Sequence, residues 1–438
     1  MKMKKVLALA LTVILSSGLL AGCSKQTPSP PSASPQPTSS GSEAVAPVSG
    51  KITFSIWDLN SNSYLQTLVD NFTDANPDIE VEIIDTPSDS YVSKLNIDLN
   101  GGAAADVILV KEADYSMYQK GQIADLSSYI ERDGIDLTTY NGLAESLNFD
   151  GKQMGLPFRM DYYVLFYNKD IFDAAGTDYP SNDMLWADFE ELAKQLTSGE
   201  GANKTYGAFL HTWQACVQNW AVQDGKQTMM GPDYSFMKPA YEMVLRMQNE
   251  DGTIQDYSTL KTANIHYSSP FQMGTVAMLP MGTWFMSTMI DRVNSGESEV
   301  NWAIATLPHP EGLAAGNTVG SFTPIVINKF SPNKDAAWEF VKYCATAEGA
   351  KVLAEAGQIP GCATDELRNI ITSVEGMPEG ASEAMATKGV VLDRPTVPFV
   401  NEVNQMLGEE HGLIMLGEVG LEEGLASMAE RAKEIKGE

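Results

Sequence analysis

Cysteine is scarce in this chain: Cys23, Cys216, Cys344 and Cys362 are all there are in 438 residues. No two form a Cys-x-x-Cys pair, and the four histidines (His211, His266, His309, His411) stand at no metal-ligand spacing. A structural zinc centre is therefore not expected, and no other metal or cofactor is called for. Cys344 and Cys362 leave a disulfide open in an oxidising compartment, with buried free thiols as the default. Basic residues are also few, 29 Lys and Arg against 57 Asp and Glu, for a net charge of -28. Such a polyanion is a poor partner for nucleic acid, because no phosphate contacts would release counterions. The same charge favours a soluble monomer and repels the chain from anionic lipid unless something tethers it. No P-loop, Gly-x-Ser-x-Gly or His-Glu-x-x-His occurs, which removes the signatures of nucleotide, serine-hydrolase and zincin chemistry. No internal repeat is visible.

The one long apolar run, Val6 to Leu20, follows Met-Lys-Met-Lys-Lys and is too short to span a bilayer stably. Basic start, apolar run and small residues before a cleavage point make residues 1–23 a secretory signal. Its ending, Leu20-Ala21-Gly22-Cys23, resembles the bacterial lipobox, in which the cysteine becomes the lipid-modified first residue. Residues 24–50 are rich in Pro, Ser, Thr and Ala without hydrophobic periodicity, so they are read as a disordered tether. Loss of the three signal lysines takes the charge to about -31 (26 minus 57), so lipid and not charge must hold the chain at a membrane.

From Lys51 the pattern changes. Ile52 to Trp57 alternates as a strand and runs into Asp58-Leu59-Asn60; Leu65, Leu68, Val69 and Phe72 share a helical face. Ile79 to Ile84 reads as a strand, Tyr91 to Leu99 as a helix, and Asp106 to Val110 as a buried parallel strand. This alternation is that of a doubly wound α/β sheet, whose ligands sit beyond the carboxyl ends of strands. The rule points to Trp57-Asp58 and to Lys111 through Asp114. Further on, Phe189, Leu192, Ala193 and Leu196 share a face, as do Ala337, Phe340, Val341 and Cys344, and less cleanly Tyr241, Val244, Leu245 and Gln248.

Several co-linear segments resemble the extracellular sugar-binding proteins of ABC importers, the family that includes maltodextrin-binding protein. They are Gly155 through Phe172, Ala175-Gly176, Tyr179-Pro180, Trp186 to Leu196, Gly274 through Trp284, Trp302 through Pro308, Asn333 through Phe340, and Gly357-Gln-Ile-Pro360. A departure is Leu185, where a Ser or Thr helix cap is expected before Trp186. The resemblance implies a periplasmic-binding-protein-like α/β fold of two lobes with the ligand clamped between them. The N-terminal lobe would comprise 51–160 plus 322–359, and the C-terminal lobe 161–321 plus 360–438. Crossings are expected near Arg159–Tyr162, Ser321–Thr323 and Ile359–Gly361, and closure would be a hinge motion.

A sugar offers a flat C–H face suited to aromatic rings and a rim of hydroxyls suited to carboxylates and amides. Candidates for stacking are Trp57, Trp213 and Trp284; for hydroxyls, Asp58, Asp114, Asp161 and His211; Tyr162 and Arg394 are weaker choices. Asp161 and Trp284 rest on the resemblance, which places a ligand carboxylate and a cleft ring there. Trp186, Trp302 and Trp338 are assigned to the core. The resemblance implies a substrate-binding lipoprotein, not an enzyme, that hands a carbohydrate to the membrane permease subunits of an importer. A glycan-binding sensor or adhesion protein, or a secreted carbohydrate-active enzyme, remain alternatives. The expected location is outside the cytoplasmic membrane, lipid-anchored through Cys23.

Overall fold

The computed structural model describes residues 48–111, 115–362 and 364–438, so Cys23, nearly all of the tether and Asp114 lie outside the described residues. Alternation over Gly50–Trp57 (β1) drives Ile52, Phe54 and Ile56 into one apolar cluster, as the two-residue period of a strand requires. The helix Tyr64–Ala75 (α1) buries Leu65, Leu68, Val69 and Phe72 against the same cluster. The strands Ile79–Thr86 (β2) and Val107–Leu109 (β3) pair parallel to β1 on either side of it. The helix Ser88–Gly101 (α2) covers the opposite face, where Tyr91, Leu95 and Leu99 meet Ile108 and Val110. This sheet therefore has helices on both faces.

A long strand, Leu156–Asn168 (β4), leads away from it. Its first residues, Leu156 and Phe158, belong to the β1 cluster. Its later residues divide between two other clusters by strict alternation. Tyr163, Leu165 and Tyr167 enter one cluster and Tyr162, Val164 and Phe166 the other. Around this second half lie Tyr206–Ala208 (β5), Val276–Gly282 (β6) and Trp302–Thr306 (β7). The strand Asn317–Ile327 (β8) returns antiparallel to β4, reaches β3, and pairs at its start with Gly389–Leu392 (β9). The path β2-β1-β3-β8-β4-β6-β5, with β9 on β8 and β7 on β4, makes a mixed sheet of nine strands among the described residues. The architecture is the expected periplasmic-binding-protein-like α/β fold.

Three segments expected to cross come together at one place. Asp161 stands in register with Ser321 and Arg159 with Thr323. Ile359 accepts from the Met160 N–H at 2.9 Å, and the Gly361 N–H reaches the Phe158 carbonyl at 2.9 Å. A Cβ at Gly361 would fall 2.3 Å from the Pro157 carbonyl oxygen, so only glycine lets the third segment approach this closely.

Leu185 brings no cap oxygen, and the helix Trp186–Leu196 (α3) still starts at Trp186. The Asp188 carboxylate accepts the Leu185 N–H at 3.1 Å, and the Trp186 N–H finds the His309 carbonyl. Trp186, Trp302 and Trp338 are all buried. Cys216, Cys344 and Cys362 are buried free thiols. Among the described residues no helix is long and apolar enough to cross a membrane.

Candidate functional site

Beyond the carboxyl ends of β1, β2 and β3 opens a cleft of about 350 Å³. It lies where β1 has neighbours on both sides, the switch point at which open α/β sheets take ligands. One wall carries Trp57 at the end of β1 and Asp58 after it, Ser88 and Asp89 after β2, and Lys111 after β3. Asp58 sits in the left-handed region (φ 50°), a conformation Asp tolerates better than most residues. The Ser88 N–H at the start of α2 donates to its carboxylate at 2.8 Å, and Asn62 donates to its carbonyl at 3.0 Å. Trp57 leans on Tyr91 with centroids 5.0 Å apart. Lys111 Nζ lies 6.0 Å above the Trp57 ring and donates to Ser88 Oγ at 2.6 Å.

The facing wall is aromatic. Trp284 follows β6, Trp213 follows β5, and Tyr267 precedes the short helix Ser268–Gln272. The Trp284 indole N–H donates to the Tyr267 hydroxyl at 3.1 Å. The same ring meets Tyr163 edge-on at 5.5 Å and Trp213 at 6.4 Å. Trp57, Trp213 and Trp284 all remain partly exposed, as stacking platforms must. His266 lies in this wall too; burial lowers its pKa while Asp58 and Asp89 pull it up, so the two walls feel each other's charge.

The floor is made by β4 and β8. Arg159, Asp161 and Tyr163 share one face of β4, and Ser321, Phe322 and Thr323 of β8 complete it. Arg159 donates to Asp161 at 2.8 Å and to the Tyr64 hydroxyl at 2.5 Å. Both members of the ion pair are buried, and the Thr283 hydroxyl, just past the end of β6, donates to the carboxylate at 3.4 Å. At the far end, Arg394 donates to Asn404 at 2.6 Å and Asn219 donates to Asp393 at 3.1 Å. Burial pushes the Asp393 carboxyl up, with Arg394 pulling the other way.

Of the residues singled out in the sequence, Trp57, Asp58, Asp161, Trp213, Trp284 and Arg394 therefore surround one cleft. Tyr162 and His211 do not. Tyr162 turns to the other face of β4, where its hydroxyl donates to the Met385 carbonyl at 3.0 Å. His211 turns inward to a void of about 10 Å³ that it shares with Tyr257 and His411. Residues that sequence reasoning missed are Tyr163, Tyr267, Gln214, Asp393 and Asn404 in the lining.

The inward histidines carry a pH prediction. Burial lowers both His211 and His411 from 6.5 to about 3, with lesser contributions from His266 and Lys261 on the first and Lys261 on the second. The unfolded chain takes up protons near pH 6.5 that the folded chain refuses. Stability is thus complete above that pH and falls as pH drops towards 3. Each histidine contributes a slope of about 1.4 kcal/mol per pH unit below roughly pH 6. Urea midpoints at pH 7 and 5 should show this loss, and His411→Gln should lessen it; an equal slope in the variant would contradict the assignment.

Among the described residues no group of three or more His, Cys, Asp or Glu is arranged to hold a metal ion. The lining offers aromatic stacking faces and hydroxyl partners.

Comparison with known proteins agrees with that chemistry. A sugar transporter from Rhizobium etli, crystallised in an open conformation, is 40% identical and superposes with a TM-score of 0.73 over 88% of this chain and 99% of that one. An ABC substrate-binding protein from Listeria monocytogenes, in complex with cycloalternan, shares the fold at 24% identity and a TM-score of 0.77, covering 88% and 99% of the two chains. In sequence, a maltooligosaccharide ABC transporter solute-binding lipoprotein from Streptococcus pneumoniae is 24% identical over 92% of this chain and 89% of its own length. Residues 57–351 match the bacterial extracellular solute-binding protein family. The chain belongs to that family.

Proposed function

We propose that the protein is the substrate-binding lipoprotein of an ABC importer, which captures a carbohydrate in the cleft and delivers it to membrane permease subunits. The observation that carries this reading is the cleft itself, in which Trp57 faces the Trp213, Tyr267 and Trp284 rings across carboxylates and amides. Flat C–H faces stack on such rings while hydroxyls bond at the rim. Relatives named for sugar or maltooligosaccharide transport support it. Three indoles from separate segments favour an oligosaccharide over a single ring. Trp57, Asp58, Asp161, Trp213, Trp284 and Arg394 are the binding residues in this reading, with Asp114 a further candidate from the sequence.

In this proposal the N-terminal lobe comprises 51–160 plus 322–359 and the C-terminal lobe 161–321 plus 360–438. The hinge lies where β4, β8 and the 359–361 segment run side by side. Closure buries the sugar between Trp57 and Trp284, and ligand shifts the population towards the closed form. The protein acts as a monomer, binds and releases without chemistry, and stays outside the cytoplasmic membrane through a lipid on Cys23.

The test is a thermal-shift screen of residues 51–438 against mono- and oligosaccharides. A ligand specific for the folded state adds about 2.7 kcal/mol at 100 times its Kd. A shift with one glycan class is expected; silence across all sugars would end the carbohydrate reading. Cys23→Ala should move the full-length protein from the membrane fraction into the medium or periplasm, and retention on the membrane would end the lipidation reading.

A further inference from the structure

We infer that Gln358 is the positioning residue of the Trp284 ring, tying the aromatic wall of the cleft to the 359–361 segment of the proposed hinge. The inference rests on the carbohydrate reading above and extends it to a residue that acts on the sugar without touching it.

Gln358 stands between two helices. Its N–H donates to the Leu353 carbonyl at 2.9 Å and so closes the helix Ala347–Glu355, which packs into the β1 cluster. Its side chain leaves in the other direction, to the start of the helix Phe285–Asn294, which begins directly after Trp284. There Nε2 donates to Ser287 Oγ at 2.6 Å and to the Trp284 carbonyl at 3.4 Å. The next residue, Ile359, packs against both the β1 cluster and the cluster that holds Phe285 and Ile290. The Trp284 backbone is therefore held from two sides. On one, the neighbouring Thr283 N–H reaches the Tyr162 carbonyl of β4 at 2.9 Å; on the other, Gln358 grips the Trp284 carbonyl and the first turn behind it.

Stability does not account for an amide at this place. Gln358 is 1% exposed and is no part of the cleft lining. Its Oε1 is buried and has no hydrogen-bond partner among the described residues. Native structures usually satisfy such an acceptor, and an apolar residue of similar shape would remove the penalty. What the amide holds with its other atom is the base of a ring in a demanding position. The indole folds back over the Gly282 backbone while its N–H stays on the Tyr267 hydroxyl at 3.1 Å. A binding side chain keeps such a pose only when the residues behind it lock its backbone and rotamer. Gln358 supplies that lock from the segment about which closure turns.

The test combines an affinity cycle with a spectrum that needs no ligand. Calorimetry with maltotriose, lactose and raffinose compares wild type, Gln358→Met, Trp284→Ala and the double variant. With each sugar that binds, Gln358→Met should raise Kd about tenfold, while its urea midpoint should not fall, because the stranded oxygen leaves with the amide. Once Trp284 is alanine, the same substitution should change Kd less than twofold, since no ring remains to be positioned. Equal losses in the two backgrounds, or wild-type affinity in Gln358→Met, would overturn the inference. In the 1H–15N spectrum of the ligand-free protein, the indole peak that vanishes in Trp284→Phe should shift in Gln358→Met. An unmoved peak overturns the inference whatever binds. A shifted peak in a protein that binds no sugar, here or in the thermal-shift screen, ends the carbohydrate reading and leaves the positioning of the ring in place. If Gln358→Met does not fold, Ser287→Ala removes the shorter of the two bonds and must shift the same peak; a peak that stays put in that variant overturns the inference equally.

Discussion

Arg159→Met should lower the stability of the folded chain by about 3–5 kcal/mol, the usual cost of removing one member of a buried ion pair. Asp161 is 3% exposed and Arg159 7%, so neither can turn to water when the other is lost. Methionine would fill much of the volume but leave the carboxylate with only the Thr283 hydroxyl at 3.4 Å, and deprive the Tyr64 hydroxyl of its partner. The pair also sits where β4, β8 and the 359–361 segment run together, so its loss strikes the place at which the fold's separate apolar clusters are joined. A denaturant titration of Arg159→Met and of Arg159→Met/Asp161→Leu separates the explanations. The double variant removes the stranded charge and should recover a large part of the loss. A single variant within about 1 kcal/mol of wild type would show that the pair is better solvated than its burial implies.

The parts of the fold that were legible in the sequence are those where one period dominates. Alternation over β1 and the helical stripe of α1 are local, and each has one dry face to satisfy. The helix Lys238–Asn249 was read less well. Its buried residues are Tyr241, Met243, Val244 and Met247, whereas Gln248 bonds to the Tyr257 N–H at 2.9 Å. Spacing alone puts this polar residue in the stripe, whereas a tertiary bond, invisible locally, decides its place.

The candidate site divides in a similar way. Trp57, Asp58 and Lys111 follow from the strand-end rule alone. Asp161 and Tyr162 were both chosen, yet neighbours on a strand point to opposite faces. Given Asp161 in the cleft, the period of two selects Arg159 and Tyr163 as its companions and sends Tyr162 away, so that signal was available. Asp393, Tyr267 and Asn404 carried none. Their segments are brought to the cleft by long-range packing, and nothing near them in sequence marks an approach to β1. His211 failed for the opposite reason. It lies two residues from Trp213, but a loop has no fixed period, and its ring packs behind Trp213 and Tyr267, at 4.5 and 5.5 Å, rather than lining the cleft.

Trp284→Ala should weaken glycan binding by about 2–3 kcal/mol, the size of a binding hot spot, which is roughly 30- to 150-fold in Kd. The ring is held on three sides, by the Tyr267 hydroxyl at 3.1 Å, by Tyr163 at 5.5 Å and by Trp213 at 6.4 Å. Its orientation depends equally on a residue without a side chain. A Cβ at Gly282 would lie 2.0 Å from the Trp284 ring, which folds back across that backbone. Gly282→Ala must therefore move the indole, although it deletes nothing that touches ligand. Both variants should bind at least tenfold more weakly than wild type, whereas Tyr267→Phe, which removes only the hydroxyl, should cost about 1 kcal/mol. Calorimetry of the three variants with the best glycan of the screen, alongside their urea midpoints, checks the order. Wild-type affinity in Gly282→Ala would mean that the ring can be displaced without loss, and would take Trp284 out of the site.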